Sequence, residues 1–142
     1  MINFSLSFPS MMIVFVYFWT VYFLDRELIY PEIMESFYPQ WVSFIEHGLI
    51  FPIGLLNILH RPFKMSKRFA CCLIWAACIG YYIWLLHIFN VTGTWVYPFM
   101  TALGDDGVKY ILFPATFIVV ALVQQLGWKL NQIAHPAKNK KN

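Results

Sequence analysis

The 142-residue chain is about one domain long, yet 60% of it is hydrophobic and only 12% charged, against roughly 45–50% and about 25% in soluble domains. A chain this small has too much surface to hide that apolar area from water, so lipid must be the solvent for most of it. This excludes a soluble enzyme, a nucleic-acid binder and a disulfide-stapled secreted domain, and the net charge of +3 matters less than where the charges sit.

Met1 to Leu24 carries no charged side chain and stops at Asp25-Arg26-Glu27. At about 1.5 Å per helical residue, some twenty of these cross a hydrocarbon core, which predicts a first span over Phe4–Leu24. A signal peptide is the competing assignment. It fails because there is no basic n-region and no small-x-small cleavage site. The second span is predicted over Trp41–Leu59, with Ser43, Glu46, His47 and Asn57 as its polar residues and Pro52 inside it. Phe69–Phe89 gives a third span after Lys67-Arg68, and Tyr110–Trp128 a fourth between Lys109 and Lys129. The expected fold class is all-α, a polytopic membrane bundle with four transmembrane helices over residues 1–128 and a basic tail over 129–142.

Orientation follows from the basic residues. Arg61, Lys64, Lys67 and Arg68 lie between spans two and three, and Lys129, Lys138, Lys140 and Lys141 follow span four; Arg26 and Lys109 lie on the other side. The positive-inside rule then places both termini in the cytosol. The lysines three and five from the C-terminus, Lys140 and Lys138, resemble a dilysine signal for the endoplasmic reticulum; a polybasic tail drawn to anionic lipid is the plainer alternative.

Ionisable residues inside a span are costly and mark function by default. Glu46-His47-Gly48 is the best case. His47 lies six residues past Trp41, about 9 Å down the helix, where a neutral imidazole can serve as a general base or as a hydrogen bond between helices. The sequence leaves both open. Pro52 cannot donate to the Gly48 carbonyl, so the helix should be kinked just beyond the histidine. Ser43 and His47 share a face: they form a nucleophile pair or, as is commoner, the serine bonds its own helix. Asp25-Arg26-Glu27, with Tyr30 and Pro31 behind it, is either interfacial charge or an ordered cap over a site. Cys71, Cys72 and Cys78 lack metal-ligand spacing and are read as small packing hydrophobes, with Cys71 and Cys72 also placed for S-palmitoylation. Asn90-Val91-Thr92 is a sequon too close to the membrane to be a good acceptor. Asp105-Asp106 is read as a solvated turn.

Three stretches carry a resemblance: Asp25-Arg26-Glu27-Leu28-Ile29-Tyr30-Pro31 after an aromatic helix end, Trp41 followed by His47-Gly48 and Pro52, and Thr92-Gly93-Thr94-Trp95-Val96-Tyr97-Pro98-Phe99. In this order they resemble the androgen-induced-gene family of multipass membrane proteins, from about Leu6 to Trp128. The resemblance implies a membrane-embedded threonine hydrolase that cleaves fatty acid esters of hydroxy fatty acids with a Thr and a His. It places His47 on the family's catalytic histidine, with the apolar helices holding two acyl chains. Family members have six spans with the nucleophilic Thr in the first. This chain resembles them from their third span onward, and neither Thr20 nor Thr116 matches the nucleophile. The expectation is thus a chain that carries the base but not the nucleophile, a truncated form or an incomplete gene model. A non-catalytic regulatory or interaction protein is the alternative. The expected partners are membrane lipids, a lipid-ester substrate and another membrane protein, with no nucleic acid, cofactor or metal.

Overall fold

The computed structural model describes residues 4–136. The tail lysines Lys138, Lys140 and Lys141 therefore lie outside the described residues. Six helices follow in chain order: α1 (Phe4–Leu24), α2 (Gln40–Gly48), α3 (Ile50–His60), α4 (Lys67–Thr92), α5 (Pro98–Asp106) and α6 (Phe113–Ala134). They form four runs long and apolar enough to cross a membrane: Leu6–Leu24, Gln40–His60, Lys67–Thr92 and Pro98–Ala134. The protein is an integral membrane bundle, all-α among the described residues.

Two of the four runs are interrupted, each for a local reason. α2 and α3 meet at Leu49, three residues before Pro52, whose ring nitrogen cannot bond the Gly48 carbonyl. Next to this break the His47 carbonyl accepts from the Trp19 indole N–H of α1 at 3.3 Å, which ties the broken helix to its neighbour. The last run breaks at Gly104, which takes φ 72° and ψ 165°, a region that only glycine enters without strain. A wide π turn over Gly107–Leu112 then leads into α6, as such turns do near functional sites.

α1 packs along α3 and α6, while α4 makes thinner contacts with α1 and α6. Two clusters of buried side chains result. Val21, Leu85, Trp95, Phe99, Met100, Val108 and Phe113 fill one end of the bundle. Phe8, Met12, Ile58, Phe63 and Val123 fill the other, which carries the basic residues Arg61, Lys64, Lys67, Arg68 and Lys129.

At the basic end Asn131 is 0% exposed. Its Oδ1 accepts from the Phe63 backbone N–H at 3.3 Å and its Nδ2 donates to the Arg61 carbonyl at 3.4 Å. One α6 side chain thus supports the backbone where α3 turns toward α4. Asn131→Ala is expected to lower stability by about 1–3 kcal/mol, because a buried N–H loses its acceptor. Thermal unfolding in detergent measures this, and an unchanged midpoint would show that the turn does not depend on Asn131.

Candidate functional site: a histidine in a lipid-sized cavity

Between the two clusters lies a cavity of about 600 Å³. α1 contributes Ile13 and Tyr17, α2 Ser43 and His47, α4 Ala77 and Tyr81, and α6 Thr116 and Val120. At about 30 Å³ for a water-sized group, it seats on the order of twenty methylene-sized groups. That is room for an acyl chain.

His47 is held in one orientation. Its ring stacks on Phe18 with centroids 3.8 Å apart and planes 11° off parallel. Its Nδ1 lies 2.8 Å from the Ser43 carbonyl oxygen. A carbonyl only accepts, so the neutral ring carries its proton on Nδ1. Nε2 is left with a lone pair and no hydrogen-bond partner among the described residues. A fixed tautomer with a vacant basic nitrogen at an apolar cavity is what a general base requires.

The same geometry disposes of Ser43 as a nucleophile activated by His47. Its Oγ is 3.5 Å from Nδ1, the nitrogen that already bears the proton, so the ring cannot take another from it there. Glu46 is also separated from its neighbour. One residue along a helix turns the side chain by about 100°, and Glu46 is exposed and accepts a hydrogen bond from the Tyr38 hydroxyl.

The segment after α1 is an ordered cap. Asp25 accepts from the Glu27 N–H at 3.0 Å, Glu27 accepts from the Glu32 N–H at 3.1 Å, and Arg26 Nη2 pairs with Glu35 at 2.6 Å. Tyr30 donates to the Tyr38 carbonyl, and Tyr30, Met34 and Tyr38 line the cavity. Of the two readings of Asp25-Arg26-Glu27, the cap holds. The bond to Glu46 pushes the Tyr38 phenol from 10.0 up to about 12, with lost hydration the second cause. A raised pKa means that the bonded, protonated form is favoured. Its contribution is complete below pH 10 and is lost as pH rises through about 12. In an ultraviolet titration Tyr38 should be among the late-titrating tyrosines, and Glu46→Gln should move one late tyrosine back toward 10.0; if the variant leaves the titration unchanged, Tyr38 does not hold the cap.

The Thr92–Phe99 stretch forms the wall beside this cap. Trp95 stacks on Phe89 with centroids 4.2 Å apart and donates to Asp105 at 3.0 Å. Asp105, read from sequence as a solvated turn residue, is therefore a bonded anchor that also lies 3.9 Å from Lys109 Nζ. Tyr97 bonds the Tyr81 hydroxyl at 2.7 Å. Asn90, Val91 and Thr92 are helical.

The threonines divide. Thr20 is exposed on α1. Thr116 lines the cavity, but it donates to the Leu112 carbonyl at 2.8 Å and accepts from Tyr17. Sequence reasoning passed over Tyr17, Tyr81 and Tyr97. Each is one tyrosine among eight, and nothing in its spacing separates a cavity wall from a lipid-facing ring.

Four membrane-crossing helices around a capped, lipid-sized cavity with one oriented histidine define a polytopic membrane protein built to hold an apolar ligand. The chain belongs to the FAR-17a/AIG1-like protein family, whose model matches residues 1–132. It is similar to the androgen-dependent TFPI-regulating protein of Mus musculus, at 36% identity over 96% of this chain and 61% of that protein. The Homo sapiens counterpart is 34% identical over 96% and 62%, and the androgen-induced gene 1 protein of Homo sapiens 35% identical over 89% and 53%. The chain thus spans between half and two thirds of the length of these relatives. No solved structure matches it.

Proposed function

We propose that the chain forms the base-bearing part of a membrane-embedded hydrolase for lipid esters, with His47 as the general base. The observation that carries this is the vacant, fixed Nε2 of His47 at the wall of an apolar cavity of about 600 Å³. In this reading Nε2 takes the proton from a nucleophilic hydroxyl and returns it to the departing hydroxy fatty acid. The family resemblance supports a threonine as that nucleophile and fatty acid esters of hydroxy fatty acids as substrates. The basic end faces the cytosol.

A second reading draws on another observation. Neither Thr20 nor Thr116 presents a free hydroxyl to the cavity, which favours a non-catalytic chain that associates with another membrane protein. This chain joined to helices that bear the nucleophilic hydroxyl, in vesicles and given an isotope-labelled branched fatty acid ester, separates the two. Release of hydroxy fatty acid that is lost in His47→Ala supports hydrolysis. No release, together with co-purification of a membrane protein, supports the second reading.

A further inference from the structure

The serine that His47 does not activate has a different use. Ser43 is only 2% exposed, yet its side chain reaches the cavity wall. The single proton on His47 Nδ1 points at the Ser43 carbonyl at 2.8 Å and, more weakly, at Ser43 Oγ at 3.5 Å. Ser43 Oγ is thus an acceptor in that contact, and its own O–H has no acceptor within reach among the described residues. A hydroxyl that cannot donate in an apolar interior is costly.

Most of the other cavity hydroxyls are committed, Tyr82 excepted. Thr116 donates to the Leu112 carbonyl, Tyr17 to Thr116, Tyr38 to Glu46 and Tyr30 to the Tyr38 carbonyl. Ser10 donates to the Leu6 carbonyl. The Tyr81–Tyr97 pair keeps one proton over, but Tyr81 is half exposed at the rim. Ser43 is therefore the most deeply buried of the uncommitted hydroxyls among the described cavity residues, more so than Tyr82, and it lies a helical turn from His47 on the same face.

We propose that the Ser43 hydroxyl is the carbonyl-oxygen donor of this cavity, so that an acyl lipid binds with its C=O on Ser43 and its adjacent reacting atoms toward Nε2 of His47. A carbonyl oxygen accepts and has no proton of its own to place, which fits a lone donor among apolar walls. In ester cleavage the same O–H faces the oxygen on which negative charge develops, a role in which a preorganised donor is worth most. The proposal deepens the hydrolase reading and takes its ligand class from it.

The test uses a non-hydrolysable probe: a long-chain dialkyl ketone, isotope-labelled at its carbonyl, with the protein in vesicles of ether-linked phospholipid. Infrared spectra should show the bound ketone band moved to lower frequency than in protein-free vesicles. Ser43→Ala should return the band to its bilayer position and weaken binding about tenfold, while Ser43→Thr, which keeps a hydroxyl, should retain the shift. Circular dichroism checks that both variants keep their helices, and Ser43→Thr decides the matter if Ser43→Ala does not fold. No saturable binding of the ketone, the same band position with and without protein, or a shift that survives in Ser43→Ala would each overturn the assignment. Because a ketone is not hydrolysed, a shift without ester turnover, measured with the nucleophile-bearing helices joined to this chain, would remove the hydrolase reading and keep the donor. Turnover without a shift would do the reverse.

Discussion

In a protein that joins this chain to helices bearing the nucleophilic hydroxyl, His47→Gln is expected to lower turnover of lipid esters by about 10²–10⁴-fold, the usual contribution of a positioned general base. Glutamine is the informative replacement. Its amide N–H can still reach the Ser43 carbonyl that now holds Nδ1, and its length covers part of the Phe18 face on which the imidazole stacks. What it cannot supply is a basic nitrogen, since an amide nitrogen has no available lone pair. The loss should fall on the rate of the chemical step, with little change in the affinity for a non-hydrolysable ketone, because the cavity walls are untouched. A variant that binds the ketone and turns over esters at the normal rate would show that His47 is interhelical packing and that the hydrolase reading is wrong. A variant that has lost both would show that the imidazole holds the cavity open.

The parts of this structure that could be seen in the sequence are those where polarity stands out against an apolar background. Charged residues mark at least one edge of each hydrophobic run, Pro52 points to a distortion near Leu49, and His47 is conspicuous because an imidazole inside a span has few reasons to be there. The inward faces could not be seen. In water a helix marks its buried face by apolar periodicity, but in lipid the outer face is apolar too. Ile58 is buried while Leu56 and Leu59 are exposed, and Val120 is buried while Leu122 is exposed, with nothing in their chemistry to tell them apart. For the same reason the bond from Tyr17 to Thr116, 99 residues away, left no trace in spacing. Glu46 misled in the opposite direction. Adjacent to His47 in sequence, it faces elsewhere and secures the cap through Tyr38.

Gly127→Leu is expected to destabilise the bundle by about 1–3 kcal/mol or more, as overpacking of a filled core does. The reason is the seat of Phe8, a ring only 2% exposed. A Cβ built on Gly127 of α6 would stand 2.8 Å from Phe8 Cδ1 and 3.1 Å from Cε1, and one on Gly54 of α3 would stand 3.3 Å from Cδ2. The ring of α1 is therefore clamped between two glycines on two other helices. Small residues at such crossings let helices approach closely where lipid offers no hydrophobic drive to association. A leucine at 127 must displace the ring toward Gly54, which has no room for it, or push α1 off α6. Unfolding by denaturing detergent should give the lowered midpoint. Phe8→Ala alone should also destabilise, by about 3–5 kcal/mol for the lost ring. The two changes together should do less harm than their sum, because the leucine side chain can occupy the space that the ring leaves. Strict additivity in that cycle would mean that the two residues do not share one volume, and that the close approach of α1 to α6 is set elsewhere.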